Sequence, residues 1–326
     1  MRRTLLLCAL TAWSCSKPAT PARTVDAGSA ALVGTVPETD AGVVRFVATG
    51  DTGKGNPGQY QVGAAIGTWC AANGCDFVVL LGDNFYPNGI ASNDDPQWQT
   101  AFVEPYKTVD APFYAVLGNH DCGGDGAGTD LPRGDNELAY AAVNPKWRMP
   151  ARHYKWRLGE VEFFVADTNR SMFSVDDDAR TAFGKWLPES TAKWKLVFAH
   201  HPYESNGMHG NAGSYDELPF VPIANGAGVK SFHEDHVCGQ ADFLFTGHDH
   251  SLQWLESTCS RPPATTKTQL IVSGAGAKTT PLPGKAPNHY HSDKLGFVYV
   301  VVRGNTLTAS FHDEQGVMQF TRTVVK

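Results

Sequence analysis

The chain has 326 residues, and 27 Lys+Arg against 33 Asp+Glu give a formal net charge of −6. That length bounds one large domain or two ordinary ones, and the mild acidity offers no basic face for non-specific nucleic-acid binding. A content of 42% hydrophobic and 11% aromatic residues excludes global disorder. The 33 Gly and 20 Pro point to many tight loops between short elements. Seven cysteines leave one unpaired or modified, and twelve histidines are the last unusual tally.

Met1-Arg2-Arg3 is a short basic start, and Thr4–Ser14 follows without charge and mostly apolar. This run falls far below the ~20 apolar residues that span a bilayer and suits a secretory signal. Ala12-Trp13-Ser14-Cys15 loosely resembles a bacterial lipobox, although Trp13 departs from the usual small residue. A leader over residues 1–15 implies export, with a lipid anchor at Cys15 and free release both open. The expected location is periplasmic, extracellular or membrane-anchored. Residues 16–42 are mostly small or turn-forming, with few large apolar side chains, and read as a flexible tether. No internal repeat or second linker follows, so one domain is expected over 43–326.

Within it, Val43–Thr49 is a strand-like apolar run ending in Gly-Asp, and Gln59–Ala72 suits a helix. Phe77–Leu81 is a buried type of strand, again ending in Gly-Asp; Pro96–Val103 reads as helical, and Pro112–Leu117 as a strand ending in Gly-Asn. Tyr154–Leu158 and Glu162–Ala166 suggest a hairpin around Gly159, followed by a helix over Asp176–Leu187. Further strands are expected at Lys195–Ala199, Phe243–Thr246, Leu270–Ser273, Phe297–Val302 and Thr306–Phe311. Strands alternating with helices predict an α/β layered fold. Polar residues at strand C-termini put a site along one sheet edge, with the long Gly-rich loops 121–136 and 203–228 as its rims.

Five polar clusters follow strand-like runs: Gly50-Asp51-Thr52-Gly53, Gly82-Asp83-Asn84-Phe85-Tyr86, Gly118-Asn119-His120-Asp121, Val197-Phe198-Ala199-His200 and Gly247-His248-Asp249-His250. Together they offer two Asp, one Asn, one Tyr and three His as donors, enough for two adjacent metals sharing one carboxylate. An oxygen and nitrogen shell without thiolate suits iron, zinc or manganese, and a phenolate favours ferric iron. Two metals about 3.5–4 Å apart can clamp the attacking and leaving oxygens of an in-line displacement. A lone Gly-Asp is usually a turn and a lone strand-end His usually structural; the weight lies in all five occurring in this order.

The set resembles the metallophosphoesterase (calcineurin-like) superfamily and, through Tyr86, the purple acid phosphatases, in particular the small mammalian-type tartrate-resistant enzymes. The similarity runs over about residues 44–326 and includes Phe46-Val47-Ala48, His248-Asp249-His250-Ser251-Leu252-Gln253 and Ser273-Gly274-Ala275-Gly276. It implies a layered β-sandwich of two mixed sheets flanked by helices. It also implies that Asp51, Tyr86 and His250 bind a ferric ion, that Asn119, His200 and His248 bind iron(II), zinc or manganese, and that Asp83 bridges the two. His120 and His209 would contact phosphate and protonate the leaving group. Pro202 matches a family proline two residues past the ligand, which favours His200 over His201. The implied activity is that of a monomeric acid phosphatase in which a metal-bound hydroxide attacks small phosphomonoesters. A phosphodiesterase or nucleotidase on the same fold, or a non-catalytic metal- or phosphate-binding lipoprotein, are the rival readings.

Departures from the family pattern lie around the substrate rim. Thr52 stands at a usual Trp, Cys122 at a frequent His, and His201 and Glu204 at aromatic positions. Cys70 and Cys75 could close a small loop, and Cys238 and Cys259 could pair across two strand-like runs, which leaves Cys122 odd. His153, His233, His236 and His312 are expected in packing or surface roles, as are Trp147, Trp156, Trp186 and Trp194 in the core; His289 and His291 could border the pocket.

Overall fold

The computed structural model describes residues 42–173, 176–218, 220–221, 224–262 and 266–326. The leader expected at 1–15 with Cys15, and all of the 16–42 tether but its last residue, lie outside these.

Val43–Thr49 (β1), Phe77–Leu80 (β2), Phe113–Ala115 (β3) and Trp147–Arg148 (β4) run parallel in one sheet. A second sheet is built from Tyr154–Leu158 (β5), Val161–Ala166 (β6), Trp194–Ala199 (β7), Phe243–Thr246 (β8), Leu252–Leu255 (β9), Gln269–Ser273 (β10) and Asn288–Ser292 (β11). The chain then returns to the first sheet with Gly296–Arg303 (β12), Thr306–Asp313 (β13) and Met318–Val325 (β14), which add antiparallel beside β1. The strand orders are β14-β13-β12-β1-β2-β3-β4 and β11-β9-β10-β8-β7-β6-β5. In the second sheet β6, β7, β8 and β10 are parallel, β5 pairs antiparallel with β6 and β9 with β10, and β11 pairs antiparallel with β9. Two mixed sheets are thus the architecture the family resemblance implies.

The period-2 alternation of the strands explains the layering. In β6, Phe163 and Val165 face the interior between the sheets, whereas Phe164 and Ala166 face the helices. Phe46 of β1 meets Phe163, Phe198 and Phe245 of the second sheet edge-on, each at 5.8 Å between ring centroids. Both faces of these strands are covered, so their sequences read as continuous apolar runs.

Pro57–Asn73 (α1) starts where Asn56 accepts a hydrogen bond from the Gln59 N–H at 2.9 Å, with Pro57 in the first turn. It ends at Gly74, whose φ of 79° closes the helix through an N–H donated to Cys70. Asp135–Tyr140 (α2) and Asn169–Phe173 (α3) are short. Asp177–Glu189 (α4) and Ala227–His236 (α5) cover the outer face of the second sheet, where Phe183, Leu187 and Phe232 pack on Phe164, Val197 and Leu244. The stretch expected to be helical at Pro96–Val103 is helical over Trp98–Val103, as a π-helical turn in which the Glu104 N–H reaches Gln99. Strands β4, β9, β11 and β14 go beyond the expected set.

Cys70 bonds Cys75, Cys238 bonds Cys259, and Cys122 is free and buried. Among the described residues no helix is long and apolar enough to cross a membrane.

Candidate metal centre

Each of the five polar clusters sits at the C-terminal end of a parallel strand or in the turn that follows it: Asp51 after β1, Asp83 and Tyr86 after β2, Asn119 and His120 beyond β3, His200 after β7, and His248 and His250 after β8. The parallel strands of both sheets therefore deliver their polar ends to one place. Asp51, Asp83 and His248 hold positive φ values of 58°, 54° and 68°. Non-glycine residues rarely adopt this conformation, and such strain gathers where side chains must be aimed. Gly82, at φ 88°, allows the approach of His200, since a Cβ there would lie 2.4 Å from the imidazole Nδ1.

The donors form two groups. In one, the Tyr86 hydroxyl lies 2.9 Å from Asp83 Oδ2, 3.3 Å from Asp51 Oδ1 and 3.3 Å from His250 Nε2. In the other, Asn119 Oδ1 lies 2.8 Å from His200 Nε2 and 3.0 Å from His248 Nδ1. Asp83 joins them: Oδ2 faces the first group, and Oδ1 lies 3.4 Å from His200 Nε2.

Further contacts aim these atoms. Asn119 Nδ2 donates to the Gly126 carbonyl at 2.7 Å, which turns its oxygen towards the imidazoles. His200 Nδ1 meets the Leu81 carbonyl at 2.8 Å, so Nε2 presents its lone pair to the site. The neighbouring His201 also brings a ring nitrogen close to those of His200 and His248. Its Nδ1, however, is engaged by Thr168 Oγ1 at 2.7 Å. The Asn119 and Asp83 contacts fall to His200.

The donor chemistry fits metal ions. Asp51 and Asp83 are buried, and among the described residues neither pairs with a lysine or arginine. Burial pushes the Asp51 carboxyl well above its ordinary range. Burial acts upward on Asp83 too, but the imidazoles of His200 and His120 outweigh it and hold this carboxyl low. Burial raises the Tyr86 phenol, aided by both carboxylates, and lowers His248, while His250 falls to about 4. Asn119 Oδ1 and the His200 Nε2 lone pair face each other at 2.8 Å, an arrangement that is costly unless a positive ion satisfies both. Asp51, Asp83 and His250 offer one cluster and the histidines another.

His120 and His209 flank the centre. The His120 N–H donates to Asp83 Oδ1 at 2.9 Å, and its ring Nδ1 meets the Pro87 carbonyl at 2.7 Å, which leaves Nε2 open. Gly126, at φ 85°, lies against that ring, 2.4 Å from where its Cβ would be. His209 stacks on His248 at 4.0 Å, and its Nδ1 pairs with Asp216 at 2.8 Å. Asp216 was no sequence candidate, nor were Asn84, Asp121 and Glu137, which lie buried beneath the Asp83 and Asn119 turns. Asn84 and Asp121 stand inside the quoted clusters without a role there, and nothing in the spacing marks Asp216 or Glu137. Glu204 bonds Thr258, and His289 on β11 faces Glu256, just past β9.

Residues 44–252 match the calcineurin-like phosphoesterase family, and the chain belongs to it. It is 29% identical over 306 residues to purple acid phosphatase 4 of Arabidopsis thaliana, covering 84% of this chain and 81% of that one. It is 27% identical to tartrate-resistant acid phosphatase type 5 of Rattus norvegicus, over 86% of this chain and 90% of the relative. Among solved structures, Plasmodium GAP50, described as the anchor in the inner membrane complex, shares the fold at a TM-score of 0.67 and 19% identity, over 87% and 90% of the two chains. The chain is a dinuclear metal phosphoesterase, a phosphoric ester hydrolase.

Proposed function

We propose that this protein is an exported acid phosphatase acting on small phosphomonoesters. The observation that carries the reading is Asp83, whose two oxygens face two separate donor groups. Asp51, Tyr86 and His250 would hold a ferric ion, Asn119, His200 and His248 would hold iron(II), zinc or manganese, and Asp83 stands between the two groups. When bound, the metals supply Lewis acidity and lower the pKa of water. The protein's own part is positioning and proton traffic. Asn119 orients the phosphate beside the imidazoles. His120, tied to Pro87 through Nδ1, presents Nε2 to a phosphate oxygen. His209, whose pKa the Asp216 contact raises against burial, carries a proton for the departing alkoxide. Two disulfides support an oxidising compartment, and Cys15 is the candidate lipid anchor.

The test is to express the full chain, measure its metal content and assay aryl phosphate hydrolysis across pH. Asp83→Ala is expected to lose at least about a hundredfold in kcat, since it severs both donor groups. The oxidised protein is expected to be violet from a phenolate-to-iron transition, and Tyr86→Phe to be colourless. Full activity in Asp83→Ala would end the reading; an active but colourless wild type would replace the iron assignment alone.

A further inference from the structure

Lys54 lies in the turn between β1 and α1, half-buried, with its Nζ over the Tyr86 ring at 3.5 Å from the ring centroid. The backbone on both sides of it is anchored. The Gly53 N–H donates to the Asp83 carbonyl at 3.1 Å, and the Tyr86 N–H donates back to the Gly53 carbonyl at 2.9 Å, so the residue before Lys54 is bonded to the Tyr86 segment in both directions. The Lys54 N–H donates to the Thr52 carbonyl at 2.8 Å, and the Gly55 N–H to Gln59 Oε1 of α1 at 2.7 Å. The ammonium therefore hangs from a turn that is itself tied to the turn carrying the phenol. Among the described residues Lys54 forms no ion pair with a carboxylate; its close contact is the ring.

That ring carries one of the donor atoms of the centre. Its hydroxyl lies 2.9 Å from Asp83 Oδ2 and 3.3 Å from His250 Nε2, and the His120 ring stands 4.3 Å from it, tilted. The phenol is thus held by its hydroxyl and packed by two side chains. A cation over the face of an aromatic ring attracts its π electrons. The oxygen of a phenolate shares those electrons, so the ammonium acts on the atom that would donate to a metal ion. It does so through the ring, without touching the donor cluster itself.

We infer, resting on the ferric site of the reading above, that Lys54 tunes the Tyr86 phenolate: its ammonium weakens electron donation from the ring and leaves more of the ferric charge for the phosphate. Lys54 is thus a positioning residue that acts through Tyr86. The probe is ferric iron itself, loaded together with zinc into the metal-free full chain of the wild type, Lys54→Gln, Lys54→Met and Lys54→Arg, with the metal content of each measured. The readout is the wavelength of the phenolate-to-iron band at equal iron content. In that transition the ring gives up an electron, and a cation in contact with the ring makes the loss harder. Both neutral variants are therefore expected to move the band to longer wavelength by on the order of 20 nm, and Lys54→Arg to return it to the wild-type position. An unmoved band in Lys54→Gln and Lys54→Met overturns the tuning role. So does an equal displacement in Lys54→Arg, which would make packing rather than charge the cause. A wild type that binds ferric iron without colour ends both the Tyr86 ligand role and the role of Lys54. A violet wild type that turns over no aryl phosphate strikes the phosphatase reading alone, and the band positions still decide Lys54.

Discussion

The imidazole of His209 carries opposing influences. Burial disfavours its charged form, while the Asp216 hydrogen bond and the carboxylates of Asp249, Asp216 and Asp51 outweigh burial and hold its pKa above the ordinary 6.5. A histidine that delivers a proton must be charged when substrate binds, so the raised pKa extends the active acid form to higher pH. Asp216→Asn keeps the shape and removes the charge. The alkaline limb of the kcat/KM profile is expected to move to lower pH, with the acidic limb in place. Identical profiles for variant and wild type would remove His209 from the proton path. The same residues show what the sequence makes legible. His209 is reached through resemblance, at a family offset from His200, but Asp216 lies in a loop whose fold brings it back through a turn at φ 54°. Motifs report atoms that meet the reacting groups; a partner of those atoms can come from any loop of the right length.

Beneath the Asp83 and Asn119 turns, α2 contributes a buried clamp. Asn84 Nδ2 donates to Val116 at 2.7 Å, Glu137 at 3.0 Å and Asp121 at 3.1 Å, while Asp121 accepts from the Gly118 and Phe85 N–H groups at 2.7 and 2.9 Å. Burial pushes Asp121 up to about 8, helped by Asp83. Burial and the Asp121 charge also raise Glu137, whose proton bonds Asp121. Because the folded state holds Glu137 above its unfolded pKa of about 4.3, its stabilisation is complete below that pH and is lost as pH rises towards the folded value. Glu137→Gln substitutes an amide for the held proton. It is expected to preserve kcat/KM and to flatten the decline of melting temperature with pH. Glu137→Ala strands the Asn84 amide and the Asp121 carboxyl and is expected to cost about 1–3 kcal/mol, read by denaturant unfolding. At this scale the legible elements are those buried on both faces, such as β6 and β7, whose apolar runs have no rival reading. The others escape for particular reasons. β4 has only 2 residues, β11 is Asn-His-Tyr-His-Ser on an edge, and β14 is half exposed. In β9 the buried Gln253 interrupts the apolar pattern, satisfied there by Ser205 and Ser251. The turn at Trp98–Val103 shares helical periodicity with an α-helix, and packing of Trp98 on Phe85 and Tyr140 decides its geometry.

For the whole molecule, catalysis and covalent bracing occupy different parts of the fold. The donor atoms gather at strand ends, whereas Cys238 and Cys259 join the end of α5 to the segment leaving β9, both fully buried among Val237, Ala241 and Leu255. This bond closes 21 residues of chain, and Cys70–Cys75 closes 5. On a chain-entropy account the longer loop contributes ~3 kcal/mol and the shorter ~2 kcal/mol, so the longer one is the stronger brace. β8, which leads into the turn of His248 and His250, is held on both sides by β7 and β10. The Cys238→Ala/Cys259→Ala variant is therefore expected to lose ~3 kcal/mol in denaturant unfolding while the folded fraction keeps the wild-type kcat. The Cys70→Ala/Cys75→Ala variant is expected to lose less. Loss of activity ahead of unfolding in the first variant would mean that the brace reaches the centre, through β8 and the turn that follows it.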